Sequence, residues 1–116
     1  MQHQIQAADR WKELNIYEQL ANVGSEVFRT ISWREKGRSD LSQNALFRVL
    51  ELLDLTIADH KNQGRLKELC RAREMLVDYL WGDNEYRSSD RLWEKYFLPY
   101  NYAARLKIAP DSKTDS

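Results

Sequence analysis

Apolar side chains recur every three or four positions through most of the chain, and this spacing predicts four helices. The first runs from about Asp9 to Lys36. Leu14, Tyr17, Ala21, Gly24, Phe28 and Ile31 form one stripe, and Ile16, Leu20, Val23 and Val27 form a second beside it. Two stripes make a wide apolar face, so this helix is expected to touch two neighbours. Gly24 costs about 1 kcal/mol relative to alanine inside a helix, which points to the close approach of another helix. Gly37 is the expected C-cap.

The second helix is predicted from about Leu41 to Asp59, with Ser39 or Asp40 as N-cap. LFRVLELLDLTI is apolar almost all round, as in the most buried member of a bundle. The third runs from about Gly64 to Trp81, with Asn62 as a cap and a stripe of Leu66, Leu69, Cys70, Leu76, Val77 and Leu80. The fourth runs from about Asp90 to Leu106 behind Ser88 or Ser89. Pro99 interrupts it, and a proline inside a helix costs roughly 3 kcal/mol, so a kink or stop is expected near Phe97. The pattern therefore predicts an all-α protein, an up-and-down bundle of four helices with the last kinked or broken near Pro99. Residues 9–106 form the expected single domain, between a flexible head (1–8) and a disordered polar tail (107–116).

Composition narrows this picture. The 116 residues carry 18 Lys+Arg and 18 Asp+Glu, a net charge of zero, which argues against a general nucleic-acid or membrane binder. The head lacks the pattern of a signal peptide, and no apolar stretch approaches the roughly 18 residues of a membrane span. Cys70 stands alone, so it reads as a reduced, buried thiol rather than half of a disulfide. A cytoplasmic location without membrane contact is the expectation.

Eight of the thirteen aromatic residues fall between Tyr79 and Tyr102. Most are expected in the core. They are nonetheless more than one helix pair can cover, so Trp81, Tyr86, Trp93 and Tyr102 become candidates for a partner surface. Asp83 and Asn84, in the Gly-Asp-Asn turn between them, join that candidate set. A basic run follows a different logic. Lys61, Arg65, Lys67, Arg71 and Arg73 against Glu68 give residues 61–73 a local charge of +4. Lys61, Arg65, Lys67 and Arg71 are the candidate anion or nucleic-acid contacts, beside the positive end of the third helix. Finally, Arg48, Glu51 and Asp54 interrupt an apolar helix and Arg73 interrupts an apolar stripe. These four are expected to form a buried polar cluster, with Arg73 paired to Glu51 or Asp54, or to line a ligand cleft.

Catalytic templates fail: the chain has no phosphate-cradling glycine loop, no HExxH and no paired cysteines, and Cys70 has no obvious histidine partner. No metal and no cofactor are expected. The stretches WKELNIYEQLANVGSEV, LELLDLTIAD, GRLKELCRAREMLVDYLWGDNEYRSSDRLWEKYF and NYAARL, from about Trp11 to Leu106, resemble a set of small bacterial and archaeal proteins of unknown function. The resemblance implies a compact helical protein and no catalytic residue. The favoured reading is a non-enzymatic interaction module, self-associating or an accessory subunit. The alternatives are a nucleic-acid accessory protein using the basic run, or a small-ligand or hydrolase site at the polar cluster.

Overall fold

A computed structural model describes residues 9–110, and within them the chain is all-α, with no strand. A helical turn at residues 9–13 leads into α1 (Ile16–Glu35), followed by α2 (Ser39–Ala58), a 3₁₀ helix (His60–Arg65), α3 (Leu66–Leu80) and α4 (Asp90–Arg105).

The first predicted helix is thus two pieces. Asn15 stops the lead-in and starts α1 with a reciprocal cap: the Glu18 N–H donates to its side chain, and its own N–H donates to the Glu18 carboxylate, both at 2.9 Å. At the other end, Gly37 takes φ +74°. Its N–H donates to the Arg34 carbonyl and that of Arg38 to the Trp33 carbonyl, closing α1 as a Schellman motif. Arg38, not Ser39 or Asp40, occupies the cap of α2, without a side-chain cap bond. Ser89 caps α4 by accepting from the Leu92 N–H.

Helix α1 is central. It packs along α2 on one side and α4 on the other, while α3 lies mainly on α2. The predicted primacy of α2 is therefore corrected, and so is the ranking of the two stripes. Ile16, Leu20, Val23 and Val27 are the buried ones, joined by Ile31, whereas Tyr17 and Phe28 are only partly covered. Contacts between neighbours run in inverted order. Along α1 and α2, Gln19 meets Asp59, Glu26 meets Arg48, and Thr30 meets Ser42. Along α1 and α4, Arg34 meets Asp90, Phe28 meets Phe97, and Tyr17 meets Tyr100.

Of the kink or stop expected near Pro99, the stop is absent: helix α4 runs through the proline to Arg105. Trp93 and Phe97 sit buried in the main core just before the proline, and Tyr100 packs on Tyr17 just after it. Burial of two large aromatic side chains, each stabilising by roughly 1.5–3 kcal/mol, offsets the lost hydrogen bond. Gly24 is where α4 comes closest. A Cβ there would lie 2.8 Å from the Phe97 ring, so the tight contact is with a side chain of α4 rather than its backbone. Past Leu106 the backbone folds back on the helix end: Lys107 and Ile108 donate to the carbonyls of Ala104 and Ala103, with Lys107 at φ +56°. The expected flexible head (1–8) and the tail beyond 110 lie outside the described residues.

Candidate functional site

The aromatic candidates separate into three groups. Trp81 stands 58% exposed at the end of α3, and its ring lies 6.2 Å from that of Phe47, itself 54% exposed on α2. Phe47 was not among the expected residues. Its signal is the register of α2: Leu46, Val49, Leu53 and Thr56 turn inward at steps of three and four, which leaves Phe47 on the opposite flank. Half-buried Leu50 and Val77 continue the apolar strip one turn further along each helix. Below it Arg73 pairs with Asp54, Nε to Oδ1 at 2.8 Å.

Trp93 is not an exposed aromatic. It is 2% exposed and packs on Tyr96 and Phe97 in the core. Its indole nitrogen and the Ser88 hydroxyl are buried without a hydrogen-bond partner. Tyr102 is exposed on the outer side of α4, about 18 Å along the axis from the start of that helix, so it does not share a surface with Trp81.

The loop between α3 and α4 is organised from Asp78. Its carboxylate accepts from the N–H groups of Glu85 (2.8 Å) and Tyr86 (3.0 Å). Asn84 adopts φ +57°, which Asn tolerates well, and its side-chain amide bonds both the N–H and the carbonyl of Ser88. Asn84 is therefore a turn residue, while Asp83 and Tyr86 are exposed. Tyr86 donates its hydroxyl to Glu74 at 2.7 Å, and that bond with the neighbouring carboxylate holds its pKa above the ordinary tyrosine value.

The basic run divides. Lys61 turns away to Asp59 and to the Lys12 carbonyl. Arg65 faces Glu68 at 3.9 Å, and Arg73 is taken by Asp54. Lys67 and Arg71 are exposed one turn apart on α3, with no carboxylate within 4 Å among the described residues. Two such cations contacting phosphates would give a salt slope of only about −2. Beside them, the backbones of α3 and α4 stay apart and leave a solvent-open groove of about 950 Å³. Met75, Leu92, Trp93 and Tyr96 line its floor, Lys67 and Arg71 its α3 wall, and Arg65, at the end of the 3₁₀ helix, continues that wall. One tie crosses toward α4: Tyr96 and Tyr100 both donate to Glu68 Oε2, at 3.0 and 3.3 Å. Burial first, and then the Glu68 carboxylate, push the pKa of Tyr96 far up; the same causes raise that of Tyr100.

The polar cluster, expected to be buried, is not. The side chains of Arg48, Glu51 and Asp54 are half or more exposed, and Arg73 is about a third exposed. They form separate pairs on different flanks: Arg73 with Asp54 toward α3, and Arg48 with Glu51 (3.6 Å) and Glu26 (3.7 Å) toward α1. Charged side chains one helical turn from apolar ones reach water around the cylinder, so the helix never buries them. Cys70 and Leu66 are likewise exposed, not in the core stripe.

The buried polar network lies elsewhere, where α1, α2 and the 3₁₀ helix meet. Asn62 donates to the Gln19 side chain (2.8 Å) and to the Thr56 carbonyl (2.9 Å), so it is an interior tie and not a helix cap. Gln19 donates to Asp59 and to the Trp11 carbonyl, and Trp11 donates its indole N–H to Thr56, each at 2.9 Å. Burial alone would raise the Asp59 pKa, but hydrogen bonds from Lys61 and Gln19 outweigh it and hold the carboxyl below its ordinary value. Every member has a partner, as a stabilising interior network requires.

Among the described residues, no group of three or more His, Cys, Asp or Glu side chains is placed to hold a metal ion, and no helix is long and apolar enough to cross a membrane. No family model, curated protein or solved structure matches the chain.

Proposed function

We propose that this chain is a non-enzymatic protein-interaction module that associates with itself or serves as an accessory subunit. The observation that carries the reading is the adjacent, half-exposed pair Phe47 and Trp81 on the α2–α3 face. Two large aromatics together on an open surface are the kind of anchor that interfaces bury, whereas single scattered apolar side chains are ordinary. Zero net charge favours self-association, since two copies meet without overall repulsion. The reading takes the architecture as an up-and-down four-helix bundle, supported by the inverted order of contacts between neighbouring helices. A cytoplasmic setting and kinship with small bacterial and archaeal helical proteins belong to the same proposal.

Light scattering coupled to size exclusion, over about a hundredfold range of concentration, tests it. The wild type is expected to exceed the monomer mass as concentration rises, and Phe47→Ser with Trp81→Ser to remain monomeric with unchanged helicity. A wild type that stays monomeric throughout, and that draws no partner from its own cell, removes the reading.

A further inference from the structure

The α3–α4 groove differs from the aromatic face in shape and in charge. The wall built by the end of the 3₁₀ helix and by α3 runs from Gly64 to Met75, about 16 Å at roughly 1.5 Å per residue. Lys67 and Arg71 project from that wall at a spacing of four, and neither is neutralised by a described carboxylate. The two acidic side chains in the groove are occupied: Glu68 by the hydroxyls of Tyr96 and Tyr100, Glu74 by that of Tyr86. The floor is apolar, and Leu92 is 41% exposed on it although α4 has a buried face available. From this geometry we infer that the groove is the docking site for an acidic, amphipathic helical segment of a partner protein.

Three features select that occupant. An open groove of this length would leave most of a small ligand wet, whereas binding pockets enclose theirs. Two available cations are few for a nucleic-acid strand, and of the two aromatic rings on the floor Trp93 is buried and Tyr96 is tied through its hydroxyl to Glu68, so little ring face is left on which bases could stack. A helix laid in the groove matches both halves of the site. Its apolar side chains at i, i+3, i+4 and i+7 would cover Met75, Leu92 and Tyr96, and carboxylates one turn apart would meet Lys67 and Arg71. The inference does not depend on self-association through Phe47 and Trp81.

The test is a displayed library of helical peptides about 14 residues long, enough to span the wall with one turn to spare. The library is selected on the intact chain and counter-selected on Lys67→Glu with Arg71→Glu. Both substituted side chains are exposed and unpaired, so the fold should survive; Lys67→Gln with Arg71→Gln stands in if circular dichroism shows otherwise. Enriched peptides are expected to carry Asp or Glu one turn apart beside an apolar stripe. Their binding should fall at least about tenfold on the charge-reversed protein and also on Leu92→Ser. It should persist on the Phe47→Ser, Trp81→Ser protein, which separates the groove from the aromatic face. Peptides without acidic bias, binding indifferent to Lys67 and Arg71, no enrichment at all, or displacement by a tighter-binding single-stranded oligonucleotide would each overturn the inference.

Discussion

Helix α4 meets its two neighbours in opposite ways. Against α1 it is close: Phe97 presses onto the bare backbone of Gly24, and Phe28 packs edge-on to the same ring. Against α3 it stands off, tied by tyrosine hydroxyls to Glu68 and, at its start, by the hydroxyl of Tyr79 to Asp90. The first seam uses dispersion and apolar burial, which reward contact at short range. The second uses hydrogen bonds at the ends of long side chains. These hold two helices at a distance and keep the space between them open. One helix thus serves stability on one side and surface on the other.

The sharpest way to break this contrast is to remove the ring that defines the tight seam. Phe97→Ala should cost about 3–5 kcal/mol, read as a lower midpoint in urea unfolding. A loss below about 1 kcal/mol would mean that the α1–α4 seam is not the tighter of the two. Next comes Gly24→Ala. The added methyl must displace the Phe97 ring, an overpacking cost of about 1–3 kcal/mol against the roughly 1 kcal/mol gained in helix propensity. A net loss is expected; a clear gain in stability would show that α4 can yield there.

The smallest effect belongs to the open seam. Tyr96→Phe removes a hydroxyl that lies near the surface, so it should change stability at neutral pH by less than about 1 kcal/mol. Its signature is alkaline. The pKa of Tyr96 is raised in the folded protein, while an unfolded tyrosine ionises near about 10. Its contribution is therefore complete below that pH and is lost as pH rises toward the folded value. Tyr96→Phe should flatten the fall in stability above pH about 10, leaving the smaller slopes of Tyr79, Tyr86 and Tyr100. An unchanged alkaline slope would show that neither burial nor Glu68 keeps the Tyr96 hydroxyl protonated in the folded protein.

Several features of the site were readable along the chain and others were not. Trp81 and Tyr86 were marked as outward-facing aromatics because a helix pair cannot cover eight of them, and both are exposed. Trp93 carried the same mark yet is core, because spacing does not say which aromatic of a cluster lands at the centre. A pairing of Arg73 with Glu51 or Asp54 was legible from charge and position, but not that Asp54 is the partner or that the pair is exposed. A charge between two leucines can still lie around the cylinder, where water reaches it. The interior network of Gln19, Asp59, Asn62 and Trp11 was missed altogether. A buried amide resembles an exposed one until its partners, some forty residues away, arrive beside it.

By itself the amino-acid order determined the helical character, the rough extent of each helix, the glycine stop after α1 and the turn before α4. These depend on periodicity, capping and backbone preference within a few residues, and such short-range physics is written locally. Only the tertiary arrangement decided that α1 is central, that α4 continues through Pro99, and that Lys67 and Arg71 border a groove while Lys61 and Arg73 are spent on carboxylates. Each of those outcomes turns on which distant side chains meet, and burial energies of several kcal/mol there outweigh local preferences of about 1 kcal/mol or less.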